Sequence, residues 1–402
     1  MCKPLEIVND IYYVGVNDRT KHLFESLWPL PNGVSYNSYL IVDEKVTLVD
    51  TVDICYSDIF FRKITTLLGN RPIDYLVVNH MEPDHSGSIG LLVNKYPEIR
   101  IVGNKRTVEM LKGYHGVSNN VIEILDLDIL NLGKYNLQFY LTPMVHWPET
   151  MMTYLQEKKV LFSGDAFGTF GANDGSVLDS QTRSVKYWDE MIRYYSNIVG
   201  KFGSPVQTAL KKLSGVEIEM ICSTHGPVWT KNGSINEVIS LYDKLSKYEA
   251  ESGLVIIYGS MYGNTAELAD TIAISASQNG VKDIVIHNVS KSHESDIIRD
   301  VFKYKGLIVG SPTYNNKLYP AVESVLTSLQ NRNIKNRLFG YFGGFSWSDA
   351  SERLLKSFAE EMSFEVVAEP VVIKQGMIDE TYEKANNLGM MMAQKLNSDN
   401  SK

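Results

Sequence analysis

One short segment of the sequence concentrates side chains that bind metal ions. The apolar run IDYLVVNH ends at His80, and it is followed directly by Glu82, Asp84 and His85. Residues at alternate positions converge on one pocket where a strand unwinds into a tight loop, and Pro83 helps to fix such a turn. The residue types and their spacing therefore predict a metal site at the end of a strand.

Three further candidate ligands each follow a predicted strand. They are His146 in LTPMVHWPET, Asp165 in LFSGDAFG and His225 in ICSTHGPV. A lone histidine after a strand is most often a hydrogen-bonded loop residue, and a lone Gly-Asp is usually a turn. However, the chain has only eight histidines, and four of them fall in these strand-end motifs. Taken together, the motifs predict one metal centre built from several strand ends.

The order of these ligands resembles that of the metallo-β-lactamase superfamily, whose zinc hydrolases carry the motif HxHxDH. In this sequence Glu82 stands where those hydrolases have a second histidine. That departure is typical of flavodiiron proteins, which the sequence resembles over nearly all of its 402 residues. Added carboxylates favour iron over zinc because they supply harder oxygen ligands and negative charge.

The resemblance implies a role for each of these residues at a non-haem diiron centre. It assigns His80, Glu82 and His146 to one iron, Asp84 and His225 to the other, and Asp165 to a bridge between the two. It also implies that His85 is displaced from the metal and orients other ligands. Trp147 follows His146 directly, and the sequence alone leaves open whether it closes the pocket or packs in the core.

A second set of loops has the composition of a flavin site. Ser260, Met261, Tyr262, Gly263, Asn264 and Thr265 stand between a predicted strand and a predicted helix, where free backbone N–H groups bind phosphate. Two later strands end in loops with aromatic and small residues: Ser311, Pro312, Thr313, Tyr314 and Asn315, then Gly344, Phe345, Ser346 and Trp347. Neither a P-loop nor a dinucleotide GxGxxG is present. The loops are similar to those of flavodoxins, and the resemblance implies FMN.

The elements that must position these loops fall into two domains. Residues 1–250 alternate short strands, the hairpin YNSYLIVDEKVTLVDTV and helices, a pattern that fits an αββα layering typical of metallo-β-lactamases. Residues 253–402 contain five apolar strands separated by amphipathic helices, a pattern that predicts a doubly wound parallel sheet of flavodoxin size. Ser252 and Gly253 are the predicted linker.

The amino-acid composition argues against several classes of binding partner and site. The net charge of −8 argues against nucleic acid or an anionic membrane as a main partner, and no apolar stretch is long enough to span a bilayer. Cys2, Cys55 and Cys222 form no CxxC pair, so neither a disulfide framework nor a thiolate metal site is expected. These features and the absence of a signal sequence favour the cytoplasm.

The function implied by the resemblance is reduction of O2 to water, of NO to N2O, or of both, with electrons that FMN receives from a soluble donor. No motif identifies the donor, and a rubredoxin, a flavoprotein reductase and a reduced deazaflavin are the candidates. The resemblance implies a head-to-tail homodimer, and whether the chain forms a dimer or a tetramer stays open. Two alternatives stay open: a zinc hydrolase fused to a flavodoxin domain, and an electron carrier whose first domain is only a scaffold.

Overall fold

The computed structural model describes residues 4–399, so Cys2 lies outside the described part of the chain. The chain divides into two compact units, one ending at Ser246 and the other beginning at Lys247. Ser252 and Gly253, which the sequence places in a linker, belong to the first strand of the second unit. No helix among the described residues is long and apolar enough to cross a membrane.

Among the described residues, the first unit contains seventeen strands and seven α-helices. Its strands are β1 Leu5–Val8, β2 Ile11–Tyr13, β3 Val16–Asp18, β4 Leu23–Phe24, β5 Trp28–Pro29, β6 Val34–Tyr36, β7 Tyr39–Ile41, β8 Thr47–Val49, β9 Tyr75–Val77, β10 Arg100–Gly103, β11 Val121–Glu123, β12 Ile129–Asn131, β13 Asn136–Leu141, β14 Met151–Leu155, β15 Val160–Gly164, β16 Met220–Ser223 and β17 Trp229–Thr230. Its helices are α1 Ser57–Leu68, α2 Pro83–Ser86, α3 Ile89–Lys95, α4 Lys105–His115, α5 Val185–Tyr194, α6 Gly203–Leu213 and α7 Ile235–Ser246.

Two mixed sheets form the centre of the first unit. One has the order β1-β2-β7-β8-β9-β10-β11, and the other has the order β12-β13-β14-β15-β16-β17. Apolar side chains from both sheets meet in one core, with Val77 and Val102 from the first sheet and Phe139 and Phe162 from the second. The predicted hairpin is confirmed, since β7 and β8 pair antiparallel with Leu40 opposite Leu48.

The second unit is a parallel sheet with helices. Its strands are β18 Glu251–Tyr258, β19 Ile284–Asn288, β20 Tyr304–Tyr314, β21 Lys317–Leu318, β22 Leu338–Phe345, β23 Glu365–Val366 and β24 Val371–Lys374. Its helices are α8 Asn264–Gln278, α9 Glu294–Lys303, α10 Pro320–Asn331, α11 Ser351–Met362 and α12 Asp379–Asp399. The main order is β19-β18-β20-β22-β23, with all of these neighbours parallel. Helices α8 and α12 pack on this sheet in one core.

The last predicted strand, FEVVAEPVVI, is divided in the structure. Strands β23 and β24 pair with successive parts of β22 and are separated by residues that include Pro370. Proline has no backbone N–H to donate to a ladder, which explains the interruption. With this difference, the predicted two-domain fold is confirmed, including the doubly wound sheet of the second unit.

Candidate metal centre and cofactor pocket

The predicted ligands lie in loops that follow strands of both sheets in the first unit. His80 follows β9, His146 follows β13, Asp165 follows β15 and His225 follows β16. The short helix α2 begins at Pro83, whose missing N–H is tolerated at the first helical position. The ends of four strands that lie far apart in the sequence therefore meet at one place.

The first group of ligand atoms comes from His80, Glu82, His146 and Asp165, all of them buried. Glu82 Oε2 lies 3.2 Å from Nε2 of His80 and 3.2 Å from Nε2 of His146. Asp165 Oδ2 lies 3.1 Å from His146 Nε2 and 3.5 Å from His80 Nε2. Ligands about 2.1 Å from one ion sit roughly 3 to 3.5 Å from one another, so these spacings fit a single metal.

The second group comes from Asp84, His85 and His225, which are also buried. Asp84 Oδ2 lies 3.3 Å from Nε2 of each histidine, and the two Nε2 atoms are 3.0 Å apart. Neither carboxylate oxygen of Asp84 has a hydrogen-bond partner among the described residues. A buried carboxylate without a donor costs free energy, so a cation is the partner that this arrangement fits.

Asp165 faces both groups with different oxygen atoms. Its Oδ2 atom approaches His146 in the first group, whereas Oδ1 lies 3.0 Å from His85 Nε2 and 3.9 Å from His225 Nε2 in the second. The hydroxyl of Thr224 donates a hydrogen bond to Oδ1. One carboxylate is thus placed between two candidate metal positions.

His85 lies closer to the candidate centre than the resemblance implies. Its backbone carbonyl accepts hydrogen bonds from N and Oγ1 of Thr51, at 2.8 and 2.6 Å. These bonds fix α2, and the ring points at Asp84 and Asp165 instead of away from them. The ring therefore lies beside two carboxylates, which differs from the displacement that the resemblance implies.

Two hydrogen bonds orient imidazole rings toward the centre. His80 Nδ1 lies 2.8 Å from Oε1 of the buried Glu149, and His225 Nδ1 lies 2.7 Å from the carbonyl oxygen of Ser35. When Nδ1 donates to these acceptors, Nε2 is left free to bind a metal. Glu149 was not predicted as a site residue, although it lies only three residues after His146.

The charges within the cluster shift the pKa values of its members strongly. Burial opposes the charged form of each group, but His85 and His80 hold the pKa of Asp165 well below its ordinary value. Likewise, the carboxylates outweigh burial and raise the pKa of His85 and of His146 to about 9.

An aromatic shell encloses the two ligand groups. The half-buried ring of Trp147 lies edge-on to His80, with ring centroids 5.2 Å apart, so Trp147 forms a wall of the site. Phe24 and Tyr194 lie 5.3 and 5.5 Å from the ring of His225. The Tyr194 hydroxyl is buried with no hydrogen-bond partner among the described residues. Burial and the charges of Asp165, Glu82 and Asp84 raise the pKa of Tyr194, which places the hydroxyl near these carboxylates.

Glu25 adds one more acidic side chain near the first group. Its Oε2 atom accepts a hydrogen bond from Trp28 Nε1 at 3.0 Å. Desolvation and the neighbouring Glu82 raise the pKa of Glu25. The sequence analysis missed both Glu25 and Tyr194, because no motif marks a carboxyl or a phenol that folding brings beside the ligands.

In the second unit, a cavity of about 490 Å³ opens at the carboxyl ends of β18, β20 and β22. All predicted cofactor-binding residues except Gly263 and Ser311 line it. Ser311 is fully buried, and its hydroxyl bonds to the Pro312 carbonyl and the Tyr319 amide. The lining also includes four residues outside the predicted set: Asn316, Ser348, Ile373 and Gln375.

The shape of this cavity suits a planar ring with a phosphate. Helix α8 begins at Asn264, and its free N-terminal amides lie at one end of the cavity beside Thr265. The side chains of Tyr262 and Trp347 are 93% and 91% exposed, so flat aromatic surfaces are available on its rim. An isoalloxazine ring requires such aromatic flanks.

Comparisons with known proteins match both units. The model of ODP family beta lactamases matches residues 34–226, and the flavodoxin model matches residues 256–388. An anaerobic nitric oxide reductase flavorubredoxin of Aliivibrio fischeri is 32% identical over 372 residues, which cover 90% of this chain and 73% of that protein.

Two solved structures share the whole fold. Rubredoxin oxygen:oxidoreductase from Desulfovibrio gigas matches with a TM-score of 0.94 and 29% identity over 98% of this chain and 99% of that one. The flavodiiron protein from Giardia intestinalis matches with a TM-score of 0.93 and 27% identity over 99% and 98% of the two chains.

Proposed function

The chain belongs to the flavodiiron protein family, and we propose that it reduces O2 to water, NO to N2O, or both, at a non-haem diiron centre supplied with electrons by FMN. The observation that carries this proposal is the position of Asp165, whose two oxygen atoms face two separate groups of ligands. A bridging carboxylate of this kind suits two metal ions held close together.

The ligand assignment follows from the two groups. His80, Glu82 and His146 would hold one iron, Asp84 and His225 would hold the other, and Asp165 would bind both. The position of His85 Nε2, beside Asp84 and His225, makes His85 a further candidate ligand of the second iron. The carboxylates of Glu82, Asp84 and Asp165 favour iron because iron in its +2 and +3 states prefers harder oxygen ligands.

Two ferrous ions would supply two electrons and a binding position for a diatomic gas, and FMN would store two more electrons. The chain's own residues would exclude water and deliver protons. Trp147 and Phe24 enclose the site with apolar surface. Tyr194, whose raised pKa keeps the phenol protonated at neutral pH, contacts the ring of His225, and burial and the neighbouring Glu82 raise the pKa of Glu25. We assign Tyr194 and Glu25 to proton donation toward reduced oxygen or NO.

FMN would bind in the cavity of the second unit, with its phosphate at the start of α8 and its ring beside Tyr262, Tyr314 and Trp347. Electrons would arrive from a soluble donor: a rubredoxin, a flavoprotein reductase or a reduced deazaflavin. A head-to-tail homodimer, in which the FMN of one protomer lies beside the irons of the other, would shorten the path between the cofactors. Two-fold symmetry is the commonest arrangement of soluble oligomers.

The deciding experiment combines metal analysis, the visible spectrum and gas consumption by the purified protein. The proposal expects about two irons and one FMN per chain, together with consumption of O2 or NO that depends on reduced FMN. Zinc in protein produced with ample iron would favour the hydrolase alternative. Bound FMN and iron without gas consumption would favour an electron carrier.

A further inference from the structure

A series of aromatic side chains begins at the candidate metal centre. Tyr194 is the first, with its ring centroid 5.5 Å from that of His225. Its side chain is fully buried, and no polar group of the described residues bonds to its hydroxyl. A phenol in this place contacts the second ligand group and is not held by any structural hydrogen bond.

Two further tyrosines continue the series. Tyr195 follows Tyr194 directly in the chain, and its ring centroid lies 5.0 Å from that of Tyr242 on α7. Both Tyr195 and Tyr242 are buried.

Two tryptophans lead from these tyrosines toward the surface. Tyr242 lies 4.5 Å from the ring of Phe167, and the carbonyl oxygen of Phe167 accepts a hydrogen bond from Trp229 Nε1 at 2.9 Å. Trp229 is fully buried and stacks on Trp188, with ring centroids 5.8 Å apart and an interplanar angle of 23°. Trp188 is only half-buried, so the series reaches the surface there.

We propose that Tyr194, Tyr195, Tyr242, Trp229 and Trp188 form an aromatic relay that carries oxidising equivalents from the diiron centre to the protein surface. Tyrosine and tryptophan are among the side chains that lose an electron most readily. The ring centroids of Tyr195 and Tyr242 are 5.0 Å apart, those of Trp229 and Trp188 are 5.8 Å apart, and Phe167 contacts both Tyr242 and Trp229. The aromatic relay would act when O2 has been reduced only as far as hydrogen peroxide because reduced FMN is lacking. It would protect the ligands from oxidation. The inference rests on the proposed diiron centre.

The step balances with hydrogen peroxide as the oxidant. Cleavage of the O–O bond of one peroxide molecule requires two electrons and two protons and yields two molecules of water. Two side chains of the aromatic relay each lose one electron and one proton, a tyrosine from its phenol and a tryptophan from its indole N–H. The products are one tyrosyl radical and one tryptophanyl radical. At Trp188 the proton can leave to solvent, where the radical can be reduced or converted to stable oxidation products.

The test compares ring oxidation at two tryptophans by mass spectrometry. Iron-loaded and iron-free samples of the full chain, both with oxidised FMN, are treated with hydrogen peroxide in the dark. Trp347 lies outside the aromatic relay, in the FMN cavity, which is filled alike in both samples, so its oxidation measures the effect of peroxide that does not depend on the relay. The proposal expects iron to raise oxidation of Trp188 several-fold relative to Trp347. An unchanged ratio would overturn it.

Two variants distinguish oxidation of Trp188 through the aromatic relay from its direct oxidation by peroxide in solution. Tyr242→Phe removes the phenolic hydroxyl but keeps the buried ring, and it should lower oxidation of Trp188 several-fold. Tyr154→Phe is the matched control, since Tyr154 is also buried and lies outside the aromatic relay. Equal oxidation of Trp188 in both variants would contradict the proposal.

Rapid-freeze EPR provides a second readout. Trp188→Phe should remove the tryptophanyl signal at the surface and prolong the tyrosyl signal, while turnover with reduced FMN stays unchanged. Iron content is measured in the same samples. If no iron binds, the proposed function fails. If iron binds and gas is consumed, but no ring radical forms with peroxide, the aromatic relay alone is refuted.

Discussion

Among single residues, Glu82 is the proposed determinant of which metal the first ligand group prefers. Its Oε2 atom lies 3.2 Å from Nε2 of both His80 and His146, so it occupies a full ligand position. A histidine there would give the nitrogen-rich ligand set of the zinc hydrolases, whereas the carboxylate adds the negative charge that stabilises iron.

We therefore expect Glu82→His to shift metal preference from iron toward zinc. Redox turnover should be lost, and the visible spectrum of FMN should be unchanged because the flavin cavity lies in the other unit. Metal analysis of protein grown with both metals measures the shift, and Glu98→His at an exposed position is the control. A variant that stays iron-loaded and fully active would show that the interpretation of Glu82 is wrong.

We propose a role for Tyr194 in proton delivery because its ring contacts His225 and its buried hydroxyl has no hydrogen-bond partner among the described residues. Tyr194→Phe should leave iron and FMN content intact and lower turnover by about tenfold, the effect of losing about 1.4 kcal/mol of transition-state stabilisation. Gas consumption at saturating donor measures the change, with Tyr154→Phe as the control. Full turnover by the Tyr194 variant would remove the hydroxyl from the proposed reaction.

The pKa values of the ligand histidines predict how metal uptake depends on pH. His85 and His146 have pKa values of about 9 in the metal-free chain, so both carry a proton at neutral pH. A bound imidazole must lose that proton, and protons therefore compete with iron below pH 9. Anaerobic calorimetric titration with Fe²⁺ in buffers of different ionisation enthalpy should detect proton release at pH 7. Affinity should rise toward pH 9, and an affinity independent of pH would contradict the assignment.

At the scale of elements, both sites form where strands end. The ligands follow β9, β13, β15 and β16 in the first unit, and the cofactor loops follow β18, β20 and β22 in the second. Beyond the end of a strand, the backbone and side chains no longer take part in sheet pairing. Loops from neighbouring strands can therefore converge on one ligand. Helix α8 adds its N-terminal amides to this arrangement.

Substitution of Asn264, which lines the cavity at the start of α8, tests whether the FMN phosphate binds there. Asn264→Asp keeps the shape of the side chain but places a negative charge where the FMN phosphate is expected. We expect FMN affinity to fall by about tenfold or more, equivalent to about 1.4 kcal/mol. Fluorescence titration of FMN measures this fall. Gln278→Glu, at the exposed opposite end of α8, should have no effect. Equal affinities for both variants would place the phosphate elsewhere.

At the scale of the whole molecule, the proposed reaction requires electrons to pass between cofactors held by different units. If the chain acts as the proposed head-to-tail homodimer, a monomeric form should retain both iron and FMN but turn over slowly. Activity per chain should therefore fall on dilution in parallel with dissociation, as measured by analytical ultracentrifugation and gas consumption. The spectrum per chain should stay constant on dilution. Full activity in a verified monomer would refute the dimer requirement.

Much of this architecture was predictable from the sequence because its signals are local. The alternation of apolar strands and amphipathic helices predicted the doubly wound sheet, and β18, β19, β20 and β22 form as expected. The candidate ligands were recognisable from residue type and from their place after apolar runs. The division between β23 and β24 was not predicted. The apolar residues on both sides of Pro370 suggested one continuous strand, although a proline interrupts sheet pairing.

The sequence by itself determined which residue types were available as ligands and where strands would end, since both depend on neighbours along the chain. Only the tertiary structure decided that Asp165 lies between two ligand groups and that His85 points at one of them. It also brought Glu149 to His80, 69 residues away, and the Tyr194 ring to His225. These contacts join distant segments, and their geometry arises from the packing of two sheets and their loops, which no local pattern records.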